Sequence, residues 1–439
     1  MKRFFIPLLA VATVLGIILA SCAQPTTPTE PTAPTAPTTP AQPTTPTEPE
    51  PTPAVGCTPP ARTPPGGATS WVGTFDPDTW VWESVVNSTA TGTPPAEPAG
   101  IWDGFAVKPD GTPYHFLWEV CTLDMPWTSC ASGIAESYIE RAGGKVTTVN
   151  SNLNTDLEMA GLEDAAVRGD VDAFIAIAID TMGLIPEIER LADMGYPFFA
   201  PGAPIPGPAV VSSCAHDYIR LGEEGGKAFA EYAESINQPI EVYELWGMYG
   251  HYDAVERHIG FHKILDGHPL VTVIESGECL FMDPLAQDAV ITTFSAHPEW
   301  EAIYDMGNMT AGVIEGLRAI DRLYPIGDPR HVYLVSQDES PAAMMGLEEG
   351  YSDVCICHSP WETMDGMIKV AFHYVILGQP VARHYNCATY HLSEADCDNP
   401  LVWGNALRMD IPFDDCPVYH VPELIETPTT AMRKELCGY

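Results

Sequence analysis

Basic residues are scarce in this chain: 20 Lys and Arg stand against 59 Asp and Glu, a formal charge of −39 over 439 residues. So acidic a surface repels phosphate backbones, which argues against a nucleic-acid partner, and it would be repelled by anionic lipid as well. The acid excess serves solubility on a crowded surface, or suits a high-salt habitat or the recruitment of cations; composition leaves these open. Catalytic signatures are missing too. No Gly-x-Ser-x-Gly, P-loop or dinucleotide fingerprint occurs, and carboxylates abound only because the chain is acidic, so the reading is not an enzyme. What is plentiful is apolar content, 45% of the residues, enough for one or two sizeable cores.

The N-terminus reads as an export signal. Lys2 and Arg3 precede an uncharged apolar run over residues 4–19, closed by Leu19-Ala20-Ser21-Cys22. A positive start, a short apolar stretch and small residues before a cut site are the parts of a secretory signal. The run is near the lower limit for spanning a bilayer, and its small-residue ending favours cleavage. The last four residues resemble the lipobox of prokaryotic lipoproteins. That resemblance implies that 1–21 are removed and that Cys22 carries a diacylglyceryl group anchoring the chain to a membrane. Setting Cys22 aside leaves eleven of the 12 cysteines, an odd number, so disulfides are plausible outside the cytoplasm with at least one thiol left over.

After Cys22 the chain is dominated by Pro and Thr as far as residue 66. Such a stretch buries no core and is expected to be an extended, partly polyproline II tether over 22–66. Residues 67–111 form an irregular lead-in, rich in Trp and turn residues, expected to pack on the main body. From about Pro113 strands and helices alternate. Predicted strands cover 114–120, 145–150, 171–178, 196–200, 240–245, 271–276, 302–304 and 332–335. Predicted helices cover 132–142, 157–168, 183–194, 222–235, 253–265, 287–296 and 309–324. Strict alternation means βαβ units and parallel sheets, and the break after 200 divides the pattern into two three-layer α/β/α lobes.

The segment Glu244-Leu-Trp-Gly-Met-Tyr-Gly-His-Tyr-Asp-Ala-Val-Glu-Arg-His-Ile-Gly-Phe261 resembles the type I periplasmic binding proteins of sugar ABC transporters, the ribose and galactose branch most closely. Gly169-Asp-Val-Asp-Ala-Phe-Ile175, Leu191-Ala-Asp-Met-Gly-Tyr-Pro-Phe-Phe199, Ala296-His-Pro-Glu-Trp-Glu-Ala-Ile303, Gly312-Val-Ile-Glu-Gly-Leu317 and Tyr333-Leu-Val-Ser-Gln-Asp338 are similar to further family pieces and fall in the family's order, over about residues 112–388. The resemblance implies two lobes joined by three crossovers near 214–217, 355–358 and 387–390. Lobe one would hold 112–215 with 358–387, lobe two 216–357 with 388–415, and 416–439 would be a tail. The lobes would close by a hinge on a ligand between them.

The same resemblance marks candidate contacts. Trp127 stands where the family places an aromatic platform, with Asp124 beside it, and Phe281 is a second platform candidate. Arg257 and Asp338 match the ligand Arg and Asp, the guanidinium being a rigid donor fork for vicinal oxygens. His358 takes the place of the usual Gln and would make binding pH-sensitive. Asp180 and Tyr249 are candidates at the cleft mouth. The chain departs from the family at Gly202-Ala203 and Met306-Gly307, where three polar contacts are expected, and Asn308 reads as a helix N-cap. Disulfides Cys121–Cys130 and Cys387–Cys397 are expected, with a third from Cys214 to Cys355 or Cys357. His258 and His262, four apart on a predicted helix with His251 upstream, have the spacing of zinc ligands, as the run Cys355-Ile-Cys357-His358 also invites. With no His-Glu-x-x-His and no second close pair of cysteines, exposed histidines and a disulfide partner account for them. No metal or other cofactor is expected.

The expected protein is thus an extracytoplasmic lipoprotein that captures a sugar-like solute (or a related polyol or nucleoside) and delivers it, as a monomer, to an ABC permease. The alternative is a ligand-sensing or adhesion lipoprotein of the same fold serving a membrane sensor.

Overall fold

The first half of the alternating pattern builds one sheet and the second half another, and the chain then returns to complete the first. In the computed structural model, which describes residues 91–92 and 97–409 apart from 206, 250, 388–390 and 400–401, the first lobe runs β1 (Thr91–Gly92), β2 (His115–Val120), α1 (Pro126–Arg141), β3 (Lys145–Asn150), α2 (Thr155–Arg168), β4 (Ala173–Ile177), α3 (Ile185–Asp193), β5 (Phe198–Pro201) and β6 (Val210–Ala215). The chain then crosses and builds α4 (Tyr218–Ile236), β7 (Ile240–Trp246), α5 (Tyr252–Leu265), β8 (Val271–Glu278), α6 (Asp283–Ala296), β9 (Ala302–Asp305), α7 (Thr310–Ala319), β10 (Tyr333–Gln337), α8 (Pro341–Glu348) and β11 (Val354–Ile356). It returns for α9 (Pro360–Val375) and β12 (His384–Asn386), and ends with β13 (His391–Leu392) and α10 (Trp403–Arg408). The signal, Cys22, the tether and the 416–439 tail lie outside the described residues.

Two sheets result. One has seven strands in the order β1-β12-β6-β5-β4-β2-β3, all parallel. The other has six, β13-β11-β10-β9-β7-β8, parallel except that β13 runs antiparallel to β11 at the edge. Buried parallel strands are covered on both faces, and β2 shows how. All six of its residues are buried. Phe116, Trp118 and Val120 enter the core formed with α1 and α9, whereas Leu117 enters the core formed with α2 and α3, as the period of two requires. The described part of the lead-in joins the first of these cores: Ile101 and Ala106 are buried in it, Trp102 packs edge-on against Tyr138, and Phe105 meets Phe372.

Local chemistry sets the element ends. Asn154 caps α2, accepting from the backbone of Asp156 and Leu157, and Gly169 ends it at φ 68°, the left-handed turn glycine takes without strain. Asp217, Ser340 and Ser359 cap α4, α8 and α9 through their side chains, each satisfying a backbone donor that the first turn leaves open. Pro126 begins α1, well before the predicted start at 132, because a proline in the first turn loses no hydrogen bond. Trp127 is therefore in the first turn of a helix. The strand β6 falls where no element is predicted. Its Val-Val-Ser-Ser-Cys-Ala sequence mixes buried serines into the sheet centre and breaks the apolar run that would have revealed it.

α4 and α5 pack closely because glycine faces backbone. A Cβ on Gly222 would overlap the Arg257 carbonyl, and one on Gly260 would overlap the Ile219 carbonyl. This contact sets the position of α5, and with it the position of Arg257.

Candidate functional site

The lobes meet where the chain changes sheets. β6 passes through His216 and Asp217 into α4, and β11 passes through Cys357, His358 and Ser359 into α9. The two segments touch: the His358 ring lies 4.9 Å from His216 and 5.3 Å from Tyr218, centroid to centroid, and Ser359 N–H points at His216 Nε2 across 3.2 Å. The third passage, from β12 to β13, includes residues 388–390.

A buried charged set gathers around His358. Arg257, from α5, is fully buried. Its guanidinium reaches Asp338 Oδ1 at 3.3 Å, His358 Nδ1 at 2.9 Å, the Met306 carbonyl, and more distantly Asp253 Oδ2 at 3.7 Å. It also stands over the Tyr218 ring at 5.2 Å. Asp338 follows β10 at φ 64°, an uncommon conformation for a residue with a side chain. Its Oδ1 lies 2.6 Å from His358 Nδ1, and its Oδ2 has no hydrogen-bond partner. Gly307 makes room for this pair, since a Cβ there would come within 2.7 Å of Asp338 Oδ2 and into the Arg257 guanidinium. Gly307 also has φ 147°. The departure from the family pattern at 306–307 thus has a steric reason.

The charge states follow from burial and neighbours. Burial opposes charge on Arg257, but Asp338 and Asp253 outweigh it and raise its pKa. Asp253 is buried, yet His251 and Arg257 hold its carboxyl well below the ordinary range. His251 rises in turn, because Asp253 overcomes the cost of burial. His358 is lowered, first by burial and then by Arg257 against the pull of Asp338. Burial pushes the Tyr218 phenol well up, so it stays a donor, and it donates to the Gly202 carbonyl.

A narrow cavity of about 30 Å³ lies against this set, lined by both lobes. Trp127, Met125, Thr128, Cys121, Ile177 and Gly202 come from the first lobe; Tyr218, Met248, His251, Asp253, Phe281 and Asn308 come from the second, with His358 between. Trp127 stacks on His358 at 5.0 Å with 9° between planes, and its indole N–H donates to the His358 carbonyl at 2.9 Å. Gly202, at φ 75°, faces the indole, where a Cβ would stand 3.1 Å from it. Phe281 takes φ 56° and lies over Gly247 so closely that a Cβ would overlap the ring.

Of the residues singled out in the sequence, Trp127, Phe281 and His358 line this cavity, and Arg257 and Asp338 stand behind His358 within bonding distance. Asp124, Asp180 and Tyr249 are exposed and outside its lining. Asp180 is engaged by its own turn, accepting from the backbone of Met182 and Gly183 at 3.0 Å. Tyr249 donates to the Ser276 carbonyl at 3.3 Å. Asn308 is not an N-cap: Met309 holds that position, and Asn308 Oδ1 accepts from Trp127 N–H at 3.3 Å, joining the lobes. The sequence reading missed Tyr218 and the His251–Asp253 pair. A histidine two residues before an aspartate at a helix start was the available signal for the pair; nothing local marks Tyr218.

The expected disulfides are corrected. Cys121, Cys130, Cys214, Cys355, Cys357, Cys387 and Cys397 are all buried thiols that form no disulfide. Cys214 faces Cys387, with 3.8 Å between sulfurs, because β6 and β12 are hydrogen-bonded neighbours in register at Cys214 and Tyr385. Cys355 belongs to β11 of the other sheet, and Cys357, just past that strand, donates to Glu339 at 3.1 Å. Cys397 reaches the Met344 carbonyl at 3.5 Å. His216, Glu362 and Cys387 bring three metal-type donors within 4.8 Å of one another. No helix among the described residues is long and apolar enough to cross a membrane.

Comparison with known proteins agrees with this architecture. The family described as "Periplasmic binding protein domain" matches residues 120–380. The ribose import binding protein of Salmonella typhimurium is 24% identical over 280 residues, which is 61% of this chain and 86% of that one. Among solved structures, a Mycobacterium smegmatis protein in complex with beta-D-fucofuranose superposes with a TM-score of 0.62 at 16% identity, covering 69% of this chain and 98% of the other. A galactofuranose binding protein gives 0.60 at 18%, covering 65% and 96%.

Proposed function

The chain belongs to the periplasmic binding protein family, and from that premise we propose that it captures a sugar-like solute between its two lobes outside the cytoplasm and hands it to an ABC permease. The observation that carries this reading is the composition of the cavity. Aromatic faces from Trp127 and Phe281 border it from opposite lobes, beside a buried Arg257–Asp338–His358 network and the His251–Asp253 pair. Flat rings suit the C–H faces of a pyranose or furanose, and paired planar donors and acceptors suit vicinal hydroxyls. Relatives described by ribose, fucofuranose and galactofuranose support a monosaccharide. Gly202 and Gly307 supply shape where the family uses polar side chains, which favours a less hydroxylated or differently oriented ligand. Cys22, as a lipidated first residue, would hold this binder at the membrane on the Pro/Thr tether, within reach of its permease.

The test is a thermal-shift and calorimetric screen of the purified full chain against D-ribose, D-fucose, D-galactose, L-arabinose and myo-inositol. A ligand at 100 times its Kd stabilises the folded state by about 2.7 kcal/mol. At least one sugar is expected to raise the melting temperature, and Trp127→Ala is expected to weaken its binding about tenfold or more. A flat response to every compound would refute the sugar reading.

A further inference from the structure

The fold gives the two set-aside histidines a third partner. His258 and His262 stand one turn apart on α5, with ring centroids 4.2 Å apart. Beneath them lies Glu244 of β7, whose side chain is fully buried while the imidazoles are 24% and 20% exposed. His258 Nδ1 is 3.1 Å from each carboxylate oxygen, and His262 Nε2 is 3.1 Å from Oε2. One donor atom from each residue falls within 4.8 Å of the other two. On the outer side Asp266 Oδ1 lies 2.9 Å from His262 Nδ1.

We propose that Glu244, His258 and His262 form a divalent-metal site, best suited to zinc, on the second lobe and apart from the ligand cavity. Two imidazole nitrogens and a carboxylate oxygen are borderline-soft ligands of the kind zinc prefers. Zinc–ligand bonds of about 2.0–2.1 Å place adjacent tetrahedral donors about 3.3 Å apart, so the 3.1 Å separations need little adjustment. Asp266 holds the His262 ring from behind, the orienting role that a carboxylate plays for a metal-bound histidine. The exposed edges of both rings leave the fourth position to water. A metal there would clamp β7 to α5, the helix that delivers Arg257 to the cavity from the residue next to His258. The inference does not depend on the solute.

The purified full chain, stripped by a chelator, is titrated with Zn²⁺ alone by calorimetry and assayed for bound metal. One equivalent is expected, with a rise in melting temperature. Co²⁺ in its place is expected to give the visible absorption of a tetrahedral site, and to quench Trp246, whose ring lies 4.4 Å from the His258 ring. His258→Gln/His262→Gln, checked for folding by circular dichroism, is expected to lose all of these. No stoichiometric zinc in the parent chain overturns the proposal. So does zinc retained by the double variant, which would point instead to His216, Glu362 and Cys387.

Discussion

Replacing Arg257 with methionine tests the central electrostatic claim. Met matches the length of the aliphatic stem and removes the charge. Asp338, 3.3 Å away, and Asp253, 3.7 Å away, then share no buried cation, and the Met306 carbonyl loses its donor. Breaking a buried ion pair by deleting one partner costs about 3–5 kcal/mol, a large share of the roughly 5–15 kcal/mol that stabilises a typical domain. At about 2–4 °C per kcal/mol for a domain of this size, the melting temperature is expected to fall by roughly 6–20 °C. The second half of the test is a double-mutant cycle with Asp338→Asn, read by thermal and denaturant unfolding. Once Arg257 is gone, neutralising Asp338 removes a liability, so the double variant is expected to be more stable than the sum of the single changes predicts, by about 1–3 kcal/mol. Arg257→Met within about 0.5 kcal/mol of the parent would refute the reasoning, because changes that small are typical of surface positions. Strict additivity would refute it too.

Two further outcomes are expected. Gly260→Ala places a Cβ against the Ile219 carbonyl at the α4–α5 contact, where backbone cannot yield as a side chain can; a loss of about 3 kcal/mol and weaker solute binding through a displaced Arg257 are expected, and an unchanged melting temperature would refute the packing argument. Stability is expected to fall as pH rises from about 4 to 7, since burial pushes Asp305 and Glu339 each up to about 7. Between their unfolded pKa near 4 and their folded one near 7 these acids are neutral when folded and ionised when unfolded, so each withdraws stability over that span, on the order of 4 kcal/mol at 1.36 kcal/mol per pH unit. His251 and His331, raised mainly by Asp253 and Asp353 against burial, act in the same direction. Asp305→Asn is expected to flatten the unfolding profile, and an equally steep profile would exclude Asp305 as its cause.

Legibility in the sequence followed how local each signal is. β3 and β7 read clearly because their runs begin and end on local chemistry, and α2 and α5 because capping side chains or amphipathic spacing mark them. β6 did not, because Ser212 and Ser213 are buried by strands on both sides, which no local pattern records. Cys214 was assigned to the wrong partners for the same reason. Its neighbour depends on β12 returning beside β6 after a long excursion through the other lobe, a register set by sheet order. Asp124 was singled out beside Trp127, and Asp180 and Tyr249 at the cleft mouth, yet the direction a loop side chain takes is decided by its own turn: Asp180 folds back on Met182 and Gly183.

The sequence by itself determined the two-lobed α/β class, the acidic character and the residue types available for recognition. Apolar periodicity, composition and the ordered run from Glu244 to Phe261 are properties of neighbours along the chain. Only the tertiary structure decided which of those residues meet. Arg257, Asp338 and His358 converge because a helix, a strand end and a crossover distant in sequence close on one point, and Glu244 stands under His258 and His262 because β7 packs beneath α5. Side-chain contact at a few ångströms depends on the sum of every packing choice in both lobes, and no stretch of neighbours contains that sum.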